Sequence, residues 1–65
     1  MNILINQTPH ELPDGATVAD AVAAIAARQP FAVAVNTNFV PNTRYTDHRL
    51  QPGDRVEIIS PVTGG

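Results

Sequence analysis

The sequence predicts an α+β fold: a mixed sheet of about four to five strands with one helix packed across one face. Three observations predict it. Apolar residues alternate with period two in short runs near the start, the middle and the end of the chain. A single stretch between them has the helical spacing instead, and proline or glycine punctuates most of the boundaries.

Residues 2–6 read as a first strand, with Ile3 and Ile5 on one side and Leu4 on the other. Gln7-Thr8-Pro9 is expected to turn the chain, so that residues 10–12 return as a short second strand before the turn signal Pro13-Asp14-Gly15. Thr17 followed by Asp20 has the capping-box spacing, and the Asp20 carboxylate suits the positive end of a helix. Val18, Ala21, Val22, Ile25 and Ala26 then recur on one face, which predicts a helix over 18–27, ended by Pro30. From Phe31 the period becomes two, with Phe31, Val33 and Val35 facing one way and Ala32 and Ala34 the other. Asn36-Thr37-Asn38 is a turn, and Phe39-Val40 begins a short return strand that Pro41 confines to an edge. Residues 42–49 read as a polar surface loop containing Tyr45 and His48, and Leu50 as a plug into the core. Pro52-Gly53 fits a type II turn, and residues 55–60 form the last strand, with Val56 and Ile58 inward and Glu57 and Ile59 outward. This order of elements is that of the ubiquitin-like β-grasp. If the first and last strands are central neighbours, Leu4 and Ile59 form an apolar spot on the free face, which is either a docking site or ordinary scattered surface hydrophobicity.

With 65 residues the chain has room for one domain, near the lower limit for a core without staples, and there is no cysteine to make a disulfide or a thiolate metal site. The N-terminal residues lack the basic and long apolar regions of a signal peptide, and no apolar run reaches membrane-spanning length, so a cytoplasmic protein is expected. The net charge is −2 and the four basic residues, Arg28, Arg44, Arg49 and Arg55, are dispersed, which argues against a nucleic-acid partner. Lysine is absent altogether. Bias toward arginine and alanine accounts for that; so would a need to keep amines away from an activated acyl group.

An enzyme of its own is hard to assemble from these residues. His10 and His48 stand far apart in the chain with no motif around them, and a phosphate loop would need a lysine. Of the six acidic residues, Asp54 and Glu57 are expected near the exit of the tail, where they could meet a basic groove. What remains is the tail itself, divided from a domain of residues 1–60 as a flexible segment 61–65 that closes on Gly64-Gly65. Two residues without Cβ atoms let a carboxylate enter a narrow slot, and six extended residues reach up to about 20 Å from the body. Being ionised at neutral pH, that carboxylate needs activation before it can accept a nucleophile, and ATP supplies this by forming a mixed anhydride with AMP.

The stretch Val35-Asn36-Thr37-Asn38-Phe39-Val40-Pro41, with Tyr45, His48, Leu50, Gly53-Asp54, Val56-Glu57-Ile58 and Gly64-Gly65, resembles the ThiS-type sulfur carriers of thiamine biosynthesis over essentially the whole chain. The Asn36 to Pro41 segment and the short length favour this branch over the small subunit of molybdopterin synthase. The resemblance implies a carrier that is not an enzyme and binds no cofactor. A ThiF-type adenylyltransferase, using ATP and magnesium, would adenylate Gly65. A sulfur donor such as a cysteine desulfurase or sulfurtransferase would convert it to a thiocarboxylate, and thiazole synthase would receive the sulfur. Gly64, Thr63 and Val62 would be the part of the tail inserted into a partner; the reading of the residues themselves adds Leu4, Ile59, Glu57 and Asp54 as candidate docking residues. Two positions depart from the family: Asn42 stands where a basic residue is common after Val40-Pro41, and Tyr45 where tryptophan is frequent. Other readings consistent with the residues are a carrier for molybdopterin or another sulfur metabolite, a ubiquitin-like protein modifier, and an interaction module with an inert tail.

Overall fold

In the computed structural model, residues 1–60 are described, and they form a five-stranded mixed sheet with one helix across one face. The expected tail, 61–65, lies outside the described residues. The strands are β1 (Asn2–Ile5), β2 (Thr8–Glu11), β3 (Ala32–Val35), β4 (Asn38–Val40) and β5 (Arg55–Ile59), in the spatial order β2-β1-β5-β3-β4. The last strand is thus the central one. It runs parallel to β1, with Leu4 opposite Arg55 and Ile5 opposite Val56, and antiparallel to β3, with Ala32 opposite Ile59 and Val33 opposite Ile58.

Alternation decides which side of each strand meets the helix. Ile3, Ile5, Val33, Val35, Val40, Val56 and Ile58 are buried against Val18 and Ala21 of α1 (Val18–Ala24), and Leu50 closes the core as expected. The helix starts where the sequence predicts. The backbone N–H of Thr17 donates to Asp20 Oδ2 at 2.8 Å, and the Thr17 hydroxyl donates to the same oxygen at 3.3 Å.

Two local expectations are corrected. The first hairpin turns at Asn6-Gln7, both left-handed at φ 52° and 69°, so that Thr8 and Pro9 lie in β2 rather than in the turn. Pro9 is tolerated because β2 is an edge strand. The helix stops at Ala24 instead of reaching 27: Ala26 takes φ 52°, its N–H bonds the Ala23 carbonyl at 3.0 Å, and Ala27 N–H bonds the Val22 carbonyl at 3.1 Å. This is the Schellman pattern, with alanine where glycine is usual. The loop 42–49 lies on the surface as expected, with Tyr45 and His48 half-buried and the other residues exposed. After a 3-10 turn at Asn42–Arg44, the carbonyls of Tyr45 and His48 accept the N–H groups of Ala19 and Val18, and the Tyr45 ring stacks on Phe31 with centroids 5.8 Å apart. Its main chain therefore supplies partners that the first turn of a helix cannot find within itself.

Candidate functional site

The site is organised by β5, because the C-terminal segment continues from it. Both neighbours of β5 end in two-residue turns with left-handed backbone: Asn6-Gln7 after β1 and Asn36-Thr37 after β3, the latter at φ 51° and 70°. This is the backbone of type I′ hairpin turns, whose twist suits paired strands. The first residue of each turn also bonds β5. Asn6 Oδ1 accepts the Ile58 N–H at 2.8 Å and Asn6 Nδ2 donates to the Ile58 carbonyl at 3.2 Å. Asn36 Oδ1 accepts the Arg55 N–H at 3.0 Å, and its Nδ2 donates to Asp54 Oδ1 at 3.0 Å. The strand is held by carboxamides at both ends.

The free face of the sheet carries two distinct regions rather than the single apolar spot expected from Leu4 and Ile59. Leu4 is half-buried and stands opposite Arg55, four residues before Ile59 on the same strand, which at about 3.3 Å per residue separates the two by roughly 13 Å along the sheet. Leu4 instead lines a shallow depression of about 350 Å³ with Gln7, Asn36, Thr37, Arg55 and Glu57. Its lining is mixed: an aliphatic floor, two amides, a hydroxyl, one cation and one carboxylate. Ile59, 58% exposed, belongs to a second region, with Ala32 directly opposite it on β3 and Ala34 two residues further along. Beside Ala34 on β4 is Phe39, 69% exposed. Ile59, Ala32, Ala34 and Phe39 make a diagonal apolar strip across three strands, at the end of β5 from which the tail continues. Phe39 was missed as a site residue by the sequence reading, although its signal was present: Val40 inward forces Phe39 outward.

The acidic residues separate likewise. Glu57 is exposed on the free face opposite Ala34, between the two regions. Asp54 is not near the exit of the tail; it precedes the other end of β5, and its carboxylate is occupied by the Asn36 amide and by the Gln51 N–H at 2.8 Å. It closes the Gln51 to Asp54 turn, where Gly53 takes φ 84°, and does not offer a free charge to a groove. Gly65, Gly64, Thr63 and Val62 lie outside the described residues. His10 and His48 are half-buried and well apart in the chain, and among the described residues no group of three His, Cys, Asp or Glu side chains could hold a metal.

A family model, that of the ThiS family, matches residues 3–65. The chain belongs to the ThiS family. The crystal structure of the thiamine biosynthesis protein ThiS from Geobacter metallireducens is similar to it with a TM-score of 0.81 at 22% identity, each chain covered in full. A solution structure of a thiamine biosynthesis protein from the same organism has a TM-score of 0.80, also at 22% identity, covering 100% of this chain and 88% of that one. No curated protein matches the sequence. At that identity the likeness carries the fold, the ubiquitin-like β-grasp. Within the ThiS family match lies the Asn36 to Pro41 segment, which here forms the left-handed turn and the edge strand β4, and so presents Phe39.

Proposed function

We propose that this chain is a sulfur carrier for thiazole formation in thiamine biosynthesis, acting in the cytoplasm as a substrate of partner enzymes rather than as an enzyme. One observation carries the reading: the ThiS family match runs to residue 65 and so includes the Gly64-Gly65 pair. A Gly65 carboxylate oxygen attacks the α-phosphorus of ATP, pyrophosphate leaves, and an acyl adenylate forms. A sulfur nucleophile at the hydrosulfide oxidation level then attacks the carbonyl carbon, AMP leaves with the bridging oxygen, and the C-terminus becomes a thiocarboxylate. Its sulfur is the nucleophile delivered to thiazole synthase. Magnesium and the basic groups that stabilise the phosphoryl transition state belong to the ThiF-type adenylyltransferase.

The division of labour follows from size. A domain this small fills its interior with its own side chains, and a side-chain-free end fits a slot in a partner. The apolar strip of Ile59, Ala32, Ala34 and Phe39 is the docking surface in this reading, because it adjoins the end of β5 that feeds the tail. Glu57 lies at its border.

The test is the intact mass of the protein after incubation with ATP, magnesium, the ThiF-type adenylyltransferase and a sulfide source, followed by fragmentation. Exchange of one oxygen for sulfur at Gly65 is expected, and loss of the reaction on deletion of Gly65 with the fold retained. An unmodified chain, with the enzyme shown active on another carrier, refutes the proposal. A stable amide between Gly65 and a lysine of another protein identifies a modifier instead.

A further inference from the structure

Asn6 occupies an unusual position between a turn and the central strand. The main chain of β1 leaves the sheet there: Asn6 is the first left-handed residue of the hairpin, and its own N–H makes the last backbone bond to β5, to the Val56 carbonyl at 2.9 Å. In a longer parallel strand, the peptide groups after Asn6 would pair with Ile58. The carboxamide takes their place, accepting from the Ile58 N–H at 2.8 Å and donating to the Ile58 carbonyl at 3.2 Å. A side chain thereby continues the ladder by one further residue of β5, to the position before Ile59. Ile58 is only 8% exposed, so water is a poor substitute for these bonds.

Among the common residues only asparagine meets both demands. Glycine accepts the φ of 52° but has no amide to offer. Aspartate is isosteric and tolerates the turn, yet it sets a carboxylate oxygen against the Ile58 carbonyl where a donor is needed. Glutamine places its amide one methylene further out.

We propose that Asn6 is a positioning residue for the C-terminal tail, clamping the β1-facing edge of β5 so that the tail leaves from a fixed point. This rests on the carrier reading given above. The reach of the tail is set by its length, but where its carboxylate arrives relative to the docked body depends on how firmly the end of β5 is held. With the clamp, β5 is bonded at 58 on one edge and paired with β3 as far as Ile59 on the other. Without it, the described main-chain bonds on the β1 edge end at Val56, and residues 57–59 can pivot on β3, with the Ser60 hydroxyl still donating to the Pro30 carbonyl at 3.4 Å. A pivot lowers the effective concentration of the carboxylate in the partner's slot and spreads its approach angles, without touching the docking surface.

The experiment compares Asn6→Gly with wild type and with Thr17→Ala, which removes the helix-cap hydroxyl on the opposite layer and controls for lost stability. Pyrophosphate release is followed with the ThiF-type adenylyltransferase, ATP and magnesium, well below the melting temperature of each variant, and amide exchange at Ile58 is measured in the free protein. In Asn6→Gly the Ile58 amide is expected to exchange faster, and kcat for adenylation to fall roughly tenfold with KM changed by less than about twofold. Thr17→Ala is expected to lower the melting temperature while leaving both kinetic constants at the wild-type values. A wild-type kcat in Asn6→Gly, or an equal loss of kcat in Thr17→Ala, overturns the positioning role. A wild-type chain that releases no pyrophosphate refutes the carrier reading itself, and that result is read from the wild-type arm alone.

Discussion

The helix terminus at Ala26 makes a quantitative test of the fold. A non-glycine residue in the left-handed region costs about 1–2 kcal/mol, and Ala26 sits there at φ 52° because its N–H and that of Ala27 close the helix on the Ala23 and Val22 carbonyls. Ala26 is exposed, so Ala26→Gly loses no buried surface. Glycine removes the steric cost and adds about 0.5–1 kcal/mol of chain entropy to the unfolded state, leaving a net gain of about 0.5–1 kcal/mol. Each kcal/mol moves the melting temperature of a domain this size by about 4–8 °C. Ala26→Gly should therefore melt higher by about 2–8 °C, with a matching rise in the urea midpoint followed by far-UV circular dichroism. Ala23→Gly, also exposed but inside the helix, should instead cost about 1 kcal/mol. If the two glycines destabilise alike, Ala26 is not left-handed in solution and the account of how the helix ends is wrong.

Leu50, 2% exposed, fills the core from the end of the loop, and Leu50→Ala should cost about 2–5 kcal/mol. Against a total stability of about 3–10 kcal/mol for a chain of this length, that lowers the melting temperature sharply; a shift of only a degree or two would mean that the site collapses around the cavity. Ile59→Asp and Phe39→Asp should each raise KM for the activating enzyme by about tenfold or more, as expected of an apolar anchor, while kcat at saturation stays unchanged. Normal KM values in both would leave the strip as plain surface. Gly64→Val should slow adenylation by crowding the partner's slot, and unimpaired kinetics would show that the slot is wide.

The sequence is most legible where one residue's chemistry decides a local structure. Thr17 and Asp20 mark the start of the helix, and the alternation in β1, β3 and β5 names the buried residues, because burial on one side of a sheet leaves the pattern no freedom. It is less legible where competing signals meet. Pro9 looks like a turn residue, and only the edge position of β2 explains why it sits in a strand. Pro30 looks like the stop of the helix, but the chain has already left it at Ala26. The candidate site suffers from a different gap: alternation gives faces but not register. Leu4 and Ile59 do share a face, and only the pairing of Leu4 with Arg55 shows that they stand at opposite ends of it. Asp54 is a different case: chain order alone, with Asp54 before the strand and the tail after it, sets it at the end away from the tail.

A left-handed turn position accepts glycine at least as readily as asparagine, so turn geometry alone does not explain asparagine at both 6 and 36. The hydrogen bonds do. Each carboxamide reaches across to β5, Asn36 at Arg55 and Asn6 at Ile58, and each supplies both an acceptor and a donor. The two bonds differ in what they hold. Asn36 ties the head of β5 to the Asp54 turn, next to main-chain pairing between Asn36 N–H and the Arg55 carbonyl at 2.8 Å. Asn6 ties a place where the neighbouring main chain has gone. Replacing either residue with glycine therefore separates the requirement for a turn from the requirement for a clamp. Asn36→Gly should lower stability by about 1–3 kcal/mol, through two lost bonds that leave the Asp54 carboxylate with its bond from the Gln51 N–H, while the amide of Ile58 remains protected from exchange. Asn6→Gly should free the Ile58 amide while the Arg55 end stays bonded. If both variants exposed the whole of β5 to exchange together, the strand would open as one unit, and a clamp local to the end that feeds the tail would have no meaning.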